Sequence, residues 1–119
     1  YAPLCASDKM TDNVKRLAEK LKAAGVSVQL DSILLFDACS AMIAAIDTAQ
    51  SVDTEKVVAA IDSGACKGFE GSFGPAVWGS YQSVYGNNHC AEHAPMVTIF
   101  TKDGPQFEWL PWDGTPSDL

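Results

Sequence analysis

Val14, Leu17, Ala18, Leu21 and Ala24 recur at the spacing of one helical face, and Lys and Glu occupy the opposite side. Ser7 is placed to cap this first helix and Gly25 to stop it, and its polar outer face puts it on the surface. Val26 to Leu30 alternates for a few residues, a short strand or a connector. Asp31 or Ser32 caps a second helix, Ile33 to Thr48. That helix is apolar almost all round, which predicts burial on several sides. Asp53 caps a third helix ending at Gly64. From Ala65 the chain fills with glycine and with Phe69, Phe73, Trp78, Tyr81 and Tyr85, and reads as loop with one short strand at Ala76 to Trp78. Met96 to Thr101 and Gln106 to Leu110 alternate as two strands, joined by the turn Lys102-Asp103-Gly104-Pro105. Phe107 and Trp109 share one face. The polar tail, Asp113 to Leu119, is expected to fray. No internal repeat or low-complexity tract interrupts this order.

At 119 residues the chain has the length of one ordinary domain. Hydrophobic residues make up 47% and charged ones 19%, which excludes a disordered chain. The net charge of −7, with Arg16 the single arginine, excludes nucleic acid as a partner and disfavours anionic membrane surfaces. The basic residues from Lys9 to Lys22 alternate with Asp8, Asp12 and Glu19 and form a solvated helix face. The longest apolar region, Ile33 to Ile46, is broken by Asp37 and Ser40 and falls short of the ~18 residues that span a bilayer. Tyr1-Ala2-Pro3-Leu4 has no charged region followed by an apolar run, and reads as a start in mid-protein or after processing.

Four cysteines fit an oxidising compartment better than the cytosol, and they allow three pairings. Cys66 with Cys90 is favoured, because the two flank the irregular Gly-rich segment. Closing that loop would stabilise by about 3 kcal/mol in the chain-entropy picture. Cys39 is a small buried hydrophobe or a partner for Cys5.

His89, Cys90, Glu92 and His93 form a tight cluster, and His-x-x-x-His clamps zinc when helical. The run lies between Gly86-Asn87-Asn88 and Pro95, too short for more than one turn, so a structural role is preferred to a metal site. Glycines 64, 68, 71, 74 and 79 match neither phosphate-binding pattern and read as turns. Asp37 and Asp47 are three turns apart in the apolar helix, too far for one acid–base site, and Asp37 is expected to anchor neighbouring backbone. There is no C-x-x-C pair and no G-x-S-x-G elbow. Nothing assembles nucleophile, base and oxyanion donors, so no catalytic residue and no cofactor is assigned.

One order of motifs remains: Gly71-Ser72-Phe73-Gly74-Pro75, a short apolar run, Tyr85-Gly86-Asn87-Asn88-His89, a strand, and Lys102-Asp103-Gly104. Upstream stand Phe36-Asp37-Ala38 and Asp53-Thr54-Glu55-Lys56-Val57-Val58-Ala59-Ala60-Ile61. This order, from Leu30 to Trp109, resembles the carboxy-terminal part of the type I periplasmic solute-binding proteins of ABC transporters, of the branched-chain amino acid receptor type. Cys90, where Gln is common after Asn-His, and Pro105, where Lys is usual, depart from the pattern.

The resemblance implies an α/β fold, the C-terminal portion of a periplasmic-binding-protein type I fold. Three helices would precede an extended Gly/aromatic segment and a β-hairpin in one partial domain: helical over 1–64, extended over 65–112, frayed over 113–119. It implies a periplasmic or extracytoplasmic bacterial protein that closes two lobes on a small amino acid-like or organic-acid solute and docks on a membrane permease. Asp31 and Ser32, at a helix N-terminus, are the ligand-binding residues it points to, capping being the alternative role. Self-association or the remainder of a cleaved parent chain would cover what one lobe fragment leaves exposed. A second reading is a small disulfide-bonded interaction module with Trp109, Trp112 and Tyr81 as its surface. A third is a zinc or redox enzyme built on the His/Cys cluster.

Overall fold

The computed structural model describes residues 10–118, and its architecture is mixed: four helices and two small antiparallel sheets. Helix α1 spans Asp12–Ala23. The expected cap, Ser7, lies outside the described residues. Thr11 holds the N-cap position without capping, and its amide donates instead to the Ser72 carbonyl at 2.8 Å. The helix ends as expected at Gly25, whose φ of +73° permits the closing bonds Gly25 N–H to Lys22 O and Val26 N–H to Leu21 O. Residues 26–29 are a connector.

Helix α2 spans Leu30–Ala49, with Gln29 at its N-cap. Asp31 and Ser32 therefore do not cap it. The Ser32 amide donates to the Gln29 carbonyl at 3.1 Å, which draws both residues into the first turn, where Asp31 complements the helix dipole. Asp37 and Ser40 do not interrupt the helix. By length and composition alone, Asp31–Ala49 is long enough to cross a membrane, contrary to the expectation from sequence. Only 17% of that window is buried, and Asp37 within it is engaged by the first sheet as described below. Helix α3, Thr54–Asp62, begins as read: the Asp53 side chain accepts from the Lys56 amide at 3.1 Å.

The segment expected to be mostly loop holds a three-stranded sheet. Strand β1, Gly68–Gly71, turns back on β2, Gly74–Trp78, and β2 pairs with β3, Ala91–His93. One helical turn, α4, Gln82–Tyr85, links β2 to β3. The hairpin is as expected in kind. Strand β4, Met96–Thr101, pairs with β5, Gly104–Trp109, from Met96↔Trp109 to Thr101↔Gly104. The turn is thus Lys102-Asp103, and β5 starts earlier than Gln106 because Gly104 and Pro105 already pair with Thr101 and Phe100.

Two clusters form the core. In one, α3 folds onto the end of α2: Ala45, Val57, Ile61 and Cys66, with Trp78 against them. In the other, Met10, Val14 and Ile33 meet Phe36 and Phe73. Phe73 extends this cluster through ring contacts at 5.8 Å to His93 and 5.9 Å to Trp109.

Helix α2 is not buried on several sides. Ile33, Ala41 and Ala45 are buried, whereas Leu34, Met42, Leu35 (64% exposed) and Ile43 (67% exposed) face outward. The described residues cover only one side of it. The tail is not frayed either. Ser117 donates through its amide and hydroxyl to the Glu92 carboxylate at 3.0 and 2.9 Å, and its carbonyl accepts from the Tyr81 amide at 2.5 Å.

Candidate functional site

The firmest polar constellation is Asp37 with Ser72. Asp37 follows Ile33 by one helical turn on the covered side of α2. Its Oδ1 accepts from the Ser72 amide at 2.5 Å and its Oδ2 from the Ser72 hydroxyl at 2.6 Å. The expected backbone anchor is present, and its target is the tip of the β1–β2 hairpin, 35 positions away in sequence. Ser72 is fully buried and passes the connection on, its carbonyl accepting from Thr11. Hairpin, α1 and α2 are thereby fixed together. Asp47 lies exposed near the far end of α2 and takes no part.

Asp31 is exposed and Ser32 half-buried in the first turn of α2, and neither side chain has a hydrogen-bond partner among the described residues.

The His/Cys cluster disperses. His89 Nε2 pairs with Asp62 Oδ1 at 2.8 Å, at the end of α3, where the Asn88 side-chain Nδ2 also donates to the Asp62 carbonyl. His93 Nδ1 lies 2.9 Å from the Ala94 carbonyl, with its ring on Phe73. The segment is strand rather than helix, so consecutive side chains diverge. Among the described residues no three His, Cys, Asp or Glu side chains converge. Cys39, Cys66 and Cys90 are free thiols, so the expected Cys66–Cys90 bond is not formed here. Cys66 is packed into the α2–α3 core, while Cys90 is half-exposed and its carbonyl holds the Gly79 and Ser80 amides. Cys5 lies outside the described residues. Trp109, Trp112 and Tyr81, expected as an exposed aromatic surface, are half-buried: Trp109 by Phe73, and Trp112 with its indole donating to Thr115.

Sequence reasoning missed the role of Glu92. Burial pushes its carboxyl up, but the Ser117 amide, the nearby Ser80 hydroxyl, the Ser117 hydroxyl and the charge of His93 together hold it below the usual glutamate range. The Ser80 hydroxyl is buried without a hydrogen bond of ordinary geometry, as is the Trp78 indole nitrogen. No local spacing in the sequence announces the pairing of Ser117 with Glu92.

Two cavities lie beside these groups. One of about 200 Å³, between α2 and the first sheet, is lined by Asp37, Ala41, Phe69, Ala76, Glu92 and His93. Its two carboxylates are already engaged by Ser72 and Ser117. The other, of about 410 Å³, opens between the end of α3, the end of β2 and the tail at Gly114 and Pro116. Neither holds an activated nucleophile beside a base. Compared with protein-family models, curated proteins and solved structures, the chain has no match.

Proposed function

We propose that the chain is part of the solute-binding component of a bacterial ABC transporter, acting outside the cytoplasm. In that reading two lobes close on a small amino acid-like or organic-acid ligand, and the closed form docks on a membrane permease. Closure is a population shift driven by ligand contacts to both lobes. Asp31 would meet an ammonium group and Ser32 a carboxylate at the start of α2, with most contacts coming from other parts of the parent protein.

The observation that carries the reading is the uncovered face of α2. Its covered side carries Ile33, Ala41 and Ala45, with Phe36 and Ile46 partly covered, while its outward stripe leaves Leu34, Leu35, Met42 and Ile43 open. A stand-alone domain rarely leaves so large an apolar stripe uncovered. The hairpin supports this: two strands alone are marginal in water, yet β4 exposes Phe100 at 80%. Each feature is explained by a helix and a hairpin that belong to a larger lobe, as the order of sequence motifs implies.

The test uses calorimetry against amino acids and organic acids, with gel filtration alongside. The 119-residue chain is expected to self-associate, or to remain with a partner piece, and to bind its solute weakly or not at all. A complete two-lobed parent binds it tightly. Micromolar binding of such a solute by a clean monomer of this chain would refute the reading.

A further inference from the structure

The larger cavity suits a ligand that the receptor reading does not involve. Its volume of about 410 Å³ is in the range of small-molecule sites. Ile61, Cys66, Trp78 and Pro116 give it apolar walls, and Lys67 and Asn88 give it two polar groups. Lys67 makes no ion pair among the described residues, although the chain carries a net charge of −7. Asn88 is held in place by its bond to the Asp62 carbonyl. The tail crosses this cavity at Gly114 and Pro116, and the paired bonds from Ser117 to Glu92 fasten it just beyond. The nearest carboxylate on the tail, Asp113, is turned onto the Thr115 amide at 2.9 Å.

From this arrangement we infer that the cavity between α3, β2 and the tail binds a small apolar monocarboxylate. The apolar body lies against Trp78 and Ile61, the carboxylate meets the Lys67 ammonium, and the tail is the lid. Binding is reversible and involves no covalent step.

The probe is sodium phenylacetate, titrated into the isotopically labelled chain at constant ionic strength and followed by amide and indole NMR shifts. A ligand of about ten heavy atoms is expected to bind with a Kd of about 1 mM, shifting Lys67, Trp78, Asn88 and Gly114 together. Lys67 is exposed, so Lys67→Gln leaves the fold intact; it should weaken phenylacetate about tenfold and leave benzyl alcohol unchanged. Ser117→Ala, which removes the hydroxyl bond and leaves the amide bond of the pair that fastens the lid, should also weaken phenylacetate. Asp31→Asn should change nothing, which separates this site from the receptor cleft. The inference is overturned by the absence of saturable shifts, by an unchanged affinity in Lys67→Gln or Ser117→Ala, or by a loss in Asp31→Asn.

Discussion

Asp37→Ala tests whether one carboxylate joins the helices to the first sheet. The side chain accepts two short bonds from Ser72, from the amide at 2.5 Å and from the hydroxyl at 2.6 Å. Ser72 has no exposed surface, so neither donor can turn to water when the acceptor is removed. A hydrogen bond to a charged group contributes about 1.5–3 kcal/mol, and an orphaned buried donor costs about 1–3 kcal/mol. Because Asp37 itself is half-exposed, the lower end applies to each bond, giving about 3 kcal/mol for the pair. A domain of this length has a total stability of roughly 6–18 kcal/mol, so the loss is a large share of it. Asp37→Asn keeps an acceptor for the Ser72 amide, and the Ser72 hydroxyl can rotate to accept from the new amide, so the expected cost falls to about 1 kcal/mol. Gly71→Ala attacks the same joint by another route, since its Cβ would sit 3.2 Å from both Asp37 Oδ1 and the Gly74 carbonyl.

The assay is urea unfolding followed by circular dichroism, at one protein concentration for all variants, with midpoint and slope fitted together. The cycle Asp37→Ala, Ser72→Ala and the double variant should show a coupling of at least about 1 kcal/mol, because the two residues act through each other. A cost below about 1 kcal/mol for Asp37→Ala, or additive single effects, would refute the anchor.

Three further outcomes are expected. Charging the outward stripe of α2 with Leu35→Lys and Ile43→Lys should reduce self-association in gel filtration, and at a dilution where the unsubstituted chain is also monomeric it should leave the thermal midpoint unchanged, since neither residue is packed; a lower midpoint at that dilution would show that the face is covered within the chain. Cys39 should be alkylated in the folded protein and Cys66 only on unfolding, as their burial dictates; a linked Cys66–Cys90 peptide from an unreduced digest would contradict the free thiols. The lowered pKa of Glu92 means that its bonds to Ser117 stabilise the tail above the ordinary glutamate pKa of about 4.3 and are lost as pH falls through the lower folded value; the protection factor of the Tyr81 amide, its exchange rate set against the intrinsic rate at the same pH, should therefore fall on acidification, and a protection factor that stays constant would refute the latch.

What was legible in the sequence is what local physics determines. Asp53 caps α3 because its carboxylate needs only the amide three residues on. Gly25 ends α1 because a left-handed residue closes the helix, and Lys102-Asp103 turns the hairpin between two alternating runs. Of the first sheet only the strand at Ala76 to Trp78, the end of β2, was legible, because β1 and β3 are too short to show an alternation. The start of α2 was misplaced because two good capping residues follow Gln29, and the chain uses them inside the first turn. Ser117 with Glu92 and Ser72 with Asp37 are pairings across the fold. An aspartate on an apolar helix announces that it has a partner, and says nothing of which residue that is.

The case of α2 shows where pattern reading stops. A 20-residue helix, apolar all round, is compatible with a core helix, a membrane span or one wall of an interface. Asp37 decides its orientation. A carboxylate that must reach Ser72 turns the Ile33, Asp37, Ala41, Ala45 side of the helix toward the hairpin and α3, and the alanines let those elements approach closely. Turning that side inward necessarily sends Leu34, Leu35, Met42 and Ile43 outward. The same carboxylate that makes a bilayer a poor environment for the helix therefore creates the apolar stripe that still needs a cover. None of the described residues covers that stripe, and under the reading proposed above its cover is the rest of a larger lobe.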